Sequence, residues 1–197
     1  SRYILQQDAS CSGFQHIAMM LRDATLGKLV NILPSRGKRR DLYKMVVRRL
    51  LRGSKKNWIS KIKKHTFKVL RKELGKETVI LTGYGSGSKA LALNFAGFQQ
   101  GATEVSYDEV KAMIEMGEPV VFQPISCLRE VLEGMTPSEI LQKSLEIAKE
   151  MQEILFDIAP SIKMFIKAMR GRAVSVYNKS DGKETFTWTT PLGMEIS

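Results

Sequence analysis

Two stretches of this sequence bring together side chains that can do chemistry. The first centres on Asp8. It follows a short apolar run, Tyr3-Ile4-Leu5, and precedes Ala9, Ser10, Cys11, Ser12 and Gly13. A strand ending in a carboxylate, then small residues, then a helix, suits a divalent cation. Mg²⁺ takes one or two carboxylates plus substrate phosphates rather than a full protein cage, and small neighbours let a polyphosphate reach the backbone. The same spacing equally suits an aspartate that caps the following helix. The second stretch is RKELGKETVILTGYGSGSK, residues 71–89. Lys72, Lys76, Ile80 and Tyr84 recur every four residues, along one slowly drifting helical face. Two ammonium groups there could hold the phosphates of a nucleotide, with the aromatic at the far end meeting its base or sugar. GYGSGS permits a tight turn. It is not a P-loop, because Lys89 is followed by Ala90 rather than Ser or Thr. A basic helix with an ordinary glycine stop has the same spacing.

The elements that must position these groups are mostly helices. Residues 3–8 read as a short strand and residues 13–24 as a helix, with Phe14, Ile17, Ala18 and Leu21 on one face. NILPS (31–35) breaks the pattern at Pro34. Leu42, Met45, Val46 and Leu50 predict a helix from Asp41 to about Gly53, its other face carrying Lys44, Arg48, Arg49 and Arg52. A basic helical stretch is expected from Ile59 to Leu74. SYDE (106–109) and TPSE (136–139) have the capping-box form, and Pro137 sits where a first helical turn accepts it. The second box opens a long helix whose stripe is Ile140, Leu141, Leu145, Ala148, Met151 and Leu155, ended or kinked by Pro160. AVSVY (173–177) and TFTWTT (185–190) alternate like two strands joined by NKSDGK.

Charge is segregated along the chain. Residues 36–76 hold 17 Lys and Arg against Asp41 and Glu73, a balance of +15, whereas the remainder, with 14 basic and 18 acidic residues, stands at −4. A polyanion partner and a lysine-rich solvated face both fit such a block. Arg39, Arg40, Lys44, Arg48, Arg49, Arg52, Lys63 and Lys64 are its candidate nucleic-acid contacts. Two distant cysteines, Cys11 and Cys127, make a disulfide framework or zinc site unexpected and suit a reducing compartment. No apolar run approaches membrane-spanning length. The absence of an initiator Met and the abrupt first strand suggest a piece of a larger protein, or a strand that leans on another chain.

DASCSGFQHIAMMLRD (8–23) resembles the motif A segment of single-subunit, bacteriophage-type RNA polymerases, the family that includes the mitochondrial enzymes. VNILPS (30–35) and DLY (41–43) continue the resemblance. Lys72, Lys76, Tyr84 and Gly85 match the family's motif B pattern, and FQP (122–124) and TWTTPLG (187–193) resemble later landmarks in the same order. The resemblance implies an α+β fold: a mainly helical fingers region with short palm strands at both ends, an incomplete right-hand polymerase fold. Residues 1–25 would be a palm segment with motif A, and 26–172 the fingers with motif B at 72–85. Residues 173–197 would be a strand pair returning to the palm.

By the same resemblance, Asp8 is the first of two metal-binding aspartates, with the Ala9 carbonyl as a further ligand of Mg²⁺ in a two-metal mechanism. Lys76 lies by the incoming triphosphate, and Lys72 or its neighbour Arg71 grips phosphate. Lys cannot offer the bidentate fork of the usual Arg. Gly13 stands where related family A DNA polymerases carry a glutamate that blocks the ribose 2′-hydroxyl, and Tyr84 adds a phenolic group that can bond it. The expected partners are DNA template, RNA product, ribonucleoside triphosphates and a further polymerase chain or segment. That last is needed because no His-Asp of the family's motif C occurs, His16 and His65 being the two histidines. The chain would be inactive alone. It would work in the host cytoplasm if from a phage, otherwise in a mitochondrial matrix or virion, and not at a membrane. A family A DNA polymerase and a non-catalytic basic nucleic-acid-binding subunit are the alternatives.

Overall fold

The computed structural model describes residues 12–34, 37, 39–53, 56–98, 105–179, 188–189 and 195–196, and within them the chain is helical almost throughout. The helix expected over 13–24 is two helices, α1 (Ser12–Met20) and α2 (Ala24–Leu29). Arg22 turns the chain with a φ of 50°, and the Asp23 carboxylate then caps α2, accepting the N–H groups of Thr25 and Leu26 at 2.8 and 3.0 Å. Leu21, expected on the buried face, lies past the end of α1 and is exposed. Asn31 closes the next loop by bonding both the N–H and the carbonyl of Arg40, each at 2.8 Å.

α3 (Leu42–Gly53) is amphipathic as expected: Leu42, Tyr43, Val46, Val47 and Leu50 are buried while Lys44, Arg48, Arg49 and Arg52 face water. The single basic helix expected over 59–74 is interrupted. α4 (Trp58–Ile62) ends, and Thr66 caps a new start at α5 (Phe67–Leu70). The chain then continues through a π-helical turn, Arg71–Lys76, into α6 (Glu77–Gly83). After α7 (Ser88–Ala96), the FQP landmark returns to that helix's end. Phe122 pairs with Phe98 across an isolated bridge, and the Gln123 N–H bonds the Gly97 carbonyl at 2.9 Å.

Both capping boxes form, Ser106 with Glu109 opening α8 (Tyr107–Glu115) and Thr136 with Glu139 opening α10 (Pro137–Ile158). Between them lie a 3₁₀ turn (Ser126–Leu128) and α9 (Arg129–Leu132). α10 is the spine: it packs along α7 and against α3, α6 and α8. Its Leu141, Ile147, Ala148, Met151 and Leu155 share one core with Leu91, Ala92 and Phe95 of α7. Each of the Leu, Ile, Met and Phe side chains among them contributes about 1.5–3 kcal/mol on burial, which is why the spine outranks local propensity in setting the fold.

The strand reading of AVSVY is overturned. Residues 173–177 belong to α11 (Pro160–Lys179), where Val174 and Tyr177 are exposed and no neighbouring strand among the described residues selects an extended form. A five-residue alternation cannot compete with a helix already nucleated at Pro160. Of the TFTWTT strand, Trp188–Thr189 is seen as β1, but its antiparallel partner is the downstream β2 (Glu195–Ile196). The other expected palm strand, residues 3–8, lies outside the described residues. Those two short strands and the Phe98–Phe122 bridge aside, the regular structure among the described residues is helical and shows no palm sheet. No helix among them is long and apolar enough to cross a membrane.

Candidate nucleotide-binding site

The π turn and α6 carry the second of the two chemical stretches, and their buried side explains how the exposed side is held. Leu74, Gly75, Thr78, Val79 and Thr82 are buried, while Lys72, Lys76 and Tyr84 are exposed. A Cβ built on Gly75 would lie 2.6 Å from the Tyr43 carbonyl oxygen and 3.0 Å from a Val47 methyl. Glycine is therefore what lets the turn press against α3. On the flank, the Glu73 carboxylate accepts the Ser126 hydroxyl and the Cys127 N–H, the latter at 2.8 Å. Burial pushes the Glu73 carboxyl up, but those two donors, together with the Cys127 thiol and the His65 ring, hold the group below its ordinary range. The same burial pushes the Cys127 thiol well up, so it is no nucleophile at neutral pH.

The π turn also changes where the lysines point. A turn closed i→i+5 rotates less per residue than one closed i→i+4. Positions four apart within it therefore fall slightly behind, whereas those in α6 run slightly ahead. The two offsets partly cancel, so Lys72, Lys76 and Tyr84 keep closer to one face than a straight α-helix would allow. Among the described residues, neither Lys72 nor Lys76 makes a hydrogen bond or ion pair. Arg71, one position round, is engaged: its Nε donates to Asp41 at 2.8 Å, and its guanidinium sits 5.0 Å from the centre of the Tyr43 ring. Lys89, after the glycine turn, is likewise committed to Asp108 at 2.6 and 2.7 Å.

At Tyr84 the helix stops by a Schellman arrangement. The Gly85 N–H bonds the Thr82 carbonyl at 3.0 Å and the Ser86 N–H bonds the Leu81 carbonyl at 2.9 Å, with Gly85 at φ 83°. This is the left-handed position that favours glycine. The phenol is left standing in solvent, Tyr84 being 75% exposed, on a backbone fixed from behind. α1 supplies one support: a Cβ on Gly13 would sit 3.3 Å from the Gly83 carbonyl, and one on Gly83 would meet the Phe14 ring at 3.1 Å. Gly13, Tyr84 and Gly85, about 70 positions apart in sequence, are thus brought together where α1 crosses the end of α6. α10 and α11 supply the others. Gln152 donates to Thr82 Oγ1 and to the Ser86 carbonyl, both at 3.0 Å, and Arg170 donates to the Gly85 carbonyl at 2.6 Å.

Sequence reasoning missed Gln152, Arg170 and Glu73. Gln152 did carry a signal, a polar residue four positions after Ala148 on a buried stripe. Arg170 carried none. The basic block is exposed and partly neutralised. Lys64 pairs with Glu130 at 2.6 Å and Lys56 with Glu150 at 3.0 Å, whereas Arg39, Arg40 and Lys44 line a cleft with Asn31, Tyr43 and Arg71. Arg48, Arg49 and Arg52 rim a second cleft with Met45 and Ile158, and Lys63 is exposed.

Asp8 and Ala9, the expected metal ligands, lie outside the described residues. Among those described, no group of three or more His, Cys, Asp or Glu side chains could hold a metal ion. A family model described as DNA-dependent RNA polymerase matches residues 1–197. No curated protein and no solved structure matches the chain.

Proposed function

Because the chain belongs to the single-subunit, phage- and mitochondrial-type DNA-dependent RNA polymerase family, we propose that it forms the motif A to motif B part of a centre for template-directed ribonucleotidyl transfer. On this reading residues 1–25 belong to the palm and 26–172 to the fingers, and a further chain or segment supplies the second metal-binding aspartate. The chain alone is then inactive. One observation carries the reading furthest. Two exposed lysines without partners among the described residues lead along one face to Tyr84, at the point where Gly13 crosses the same helix end.

The chemistry divides among the residues as follows. Asp8 and the Ala9 carbonyl would hold Mg²⁺, which when bound activates the 3′-hydroxyl and steadies the leaving pyrophosphate. Lys72 neutralises the triphosphate as it binds. Lys76 sits one turn on, where its Nζ can give a proton to the pyrophosphate oxygen freed when the primer 3′-oxygen bonds the α-phosphorus. The Tyr84 hydroxyl meets the ribose 2′-hydroxyl, a bond worth about 0.5–1.5 kcal/mol net, and Gly13 leaves that space clear. The outward basic face of α3 tracks nucleic-acid phosphates.

The test is co-purification from the native source, with each fraction assayed for Mg²⁺-dependent ribonucleotide incorporation on single-stranded or promoter DNA. Activity that needs a partner and is lost in Asp8→Asn is expected. Equal activity in Asp8→Asn would overturn the catalytic reading and leave a basic nucleic-acid-binding subunit. A preference for deoxynucleotides would instead point to a DNA polymerase.

A further inference from the structure

We propose that Gln152 and Arg170 are positioning residues that set sugar selectivity by fixing the turn on which Tyr84 stands. The inference rests on the reading of Tyr84 as the ribose contact. Tyr84 is exposed, so packing around its ring does little to aim the phenol; its direction is inherited from the backbone. That backbone ends a helix, where the last carbonyls lose their intrahelical partners. The Schellman bonds use the N–H groups of Gly85 and Ser86 and leave the carbonyls of those same two residues to be satisfied from elsewhere. They are satisfied from two different helices: Arg170 of α11 takes Gly85, and Gln152 of α10 takes Ser86.

Gln152 does more than fill a vacancy. Its amide is buried and spans from Thr82, inside the last turn of α6, to Ser86, beyond it. It therefore ties the turn before Tyr84 to the turn after it. Thr82 is itself fully buried, so this bond sits in a low-dielectric setting where it is strong and costly to break. Arg170 comes from a different helix onto the residue between, the Gly85 carbonyl, and a Cβ built on Gly87 would lie 3.6 Å from its guanidinium. A cationic donor on a carbonyl makes a charge-assisted bond, stronger than a neutral one. Gly85 and Gly87 flank Ser86 and make the segment soft; without the two donors it would sample other conformers and carry Tyr84 with it.

The inference is tested in the assembled polymerase by the ratio of kcat/KM for ribo- and deoxyribonucleotides. Arg170 is exposed, so Arg170→Ala should leave folding intact. It is expected to lower the ribose preference about three- to tenfold, the range of one such bond, with Arg170→Lys restoring most of it. In a Tyr84→Phe background the same substitution should have no further effect on the ratio, because both act through one contact. Gln152→Leu should behave like Arg170→Ala in both backgrounds, provided circular dichroism shows it folded. A changed ratio in Tyr84→Phe with an unchanged one in Arg170→Ala would overturn the positioning role alone. Equal losses for both sugars would overturn it too, marking Arg170 as merely structural. An unchanged ratio in Tyr84→Phe would sink the ribose contact itself, and the inference with it.

Discussion

Replacing Gly75 by alanine tests whether the lysine-bearing turn is held by close backbone approach to α3. A Cβ there falls 2.6 Å from the Tyr43 carbonyl oxygen, and ordinary contact begins at 3.4 Å, so the gap must open by about 0.8 Å. The obstacle is backbone on the buried face of α3, which no rotamer change can relieve. Separating two packed surfaces by 0.5–1 Å forfeits roughly a quarter to a half of the dispersion well of each contact. Overpacking of this kind costs about 1–3 kcal/mol, and a backbone obstacle belongs at the upper end. Against it stands about 1 kcal/mol of helix propensity gained by Ala over Gly. The net is a loss of about 2 kcal/mol, a fall in Tm of roughly 4–8 °C for a chain of this size. Gly171→Ala is the control: it lies inside α11 with nothing within 4 Å of the new Cβ, so propensity acts alone and the variant should gain about 0.5–1 kcal/mol. Thermal unfolding followed by circular dichroism reads both. If Gly75→Ala moves Tm upward like Gly171→Ala, propensity has won and the close approach does not exist.

Four further outcomes rest on contacts of the same kind. Because the Glu73 carboxyl is held below its ordinary value, its contribution to stability is present above the unfolded carboxylate pKa of about 4.3 and fades as pH falls through the lower folded value. Glu73→Gln should therefore be less stable by about 1 kcal/mol at neutral pH, and urea titrations should show that gap closing at pH 3; a gap independent of pH would contradict the assignment. Arg71→Ala should cost about 1 kcal/mol of stability through the lost Asp41 pair and Tyr43 stacking and leave the KM for nucleotide unchanged. Lys72→Ala should do the reverse, raising that KM about tenfold within ~0.5 kcal/mol of unchanged stability; steady-state kinetics and denaturation together separate them. Neutralising Arg39, Arg49 and Arg52 should lower the slope of log K for duplex DNA against log salt by about 2–3, and an unchanged slope would remove the basic block from the nucleic-acid path.

Legibility in the sequence tracked how local the determining physics was. The capping boxes at Ser106 and Thr136 were readable because donor and acceptor lie three residues apart and owe nothing to tertiary context. The amphipathic α3 was readable for a similar reason, its apolar stripe and its arginines being set by one helical period. AVSVY failed because alternation over five residues is ambiguous, and a helix starting thirteen residues earlier settled it. The break at Arg22 and the π turn failed for another reason. A positive φ at a non-glycine residue and an i→i+5 turn are consequences of packing, of α1 against α2 and of Gly75 against Tyr43, and leave no mark in residue type alone. Pattern and resemblance picked out Lys72, Lys76, Tyr84 and Gly13 as candidates. Arg170 was not, since an exposed arginine on an exposed helix looks like any other until the Gly85 carbonyl is found beneath it.

Motif B therefore reads best as two interleaved sequences on one element. Leu74, Gly75, Thr78 and Thr82 face inward; Glu73, Gly75 and Thr82 meet three different parts of the chain, the 126–128 turn, α3 and α10, while Thr78 donates back to the Leu74 carbonyl. Lys72, Lys76 and Tyr84 face outward, their polar ends without a partner among the described residues. The adjacent Arg71 and Lys72 show why the separation matters. Both are basic and either could grip phosphate, yet the rotation of one residue turns Arg71 onto Asp41 and Tyr43 and leaves Lys72 in water. Arginine suits the structural post, because its planar fork can stack and pair at once. Lysine suits the open one, as a compact, strongly hydrated charge on a flexible stem, which on the proposed reading follows a triphosphate as it arrives and leaves. An anchored inner row is what allows an exposed outer row to stay preorganised, since side chains in water have no packing of their own to hold them.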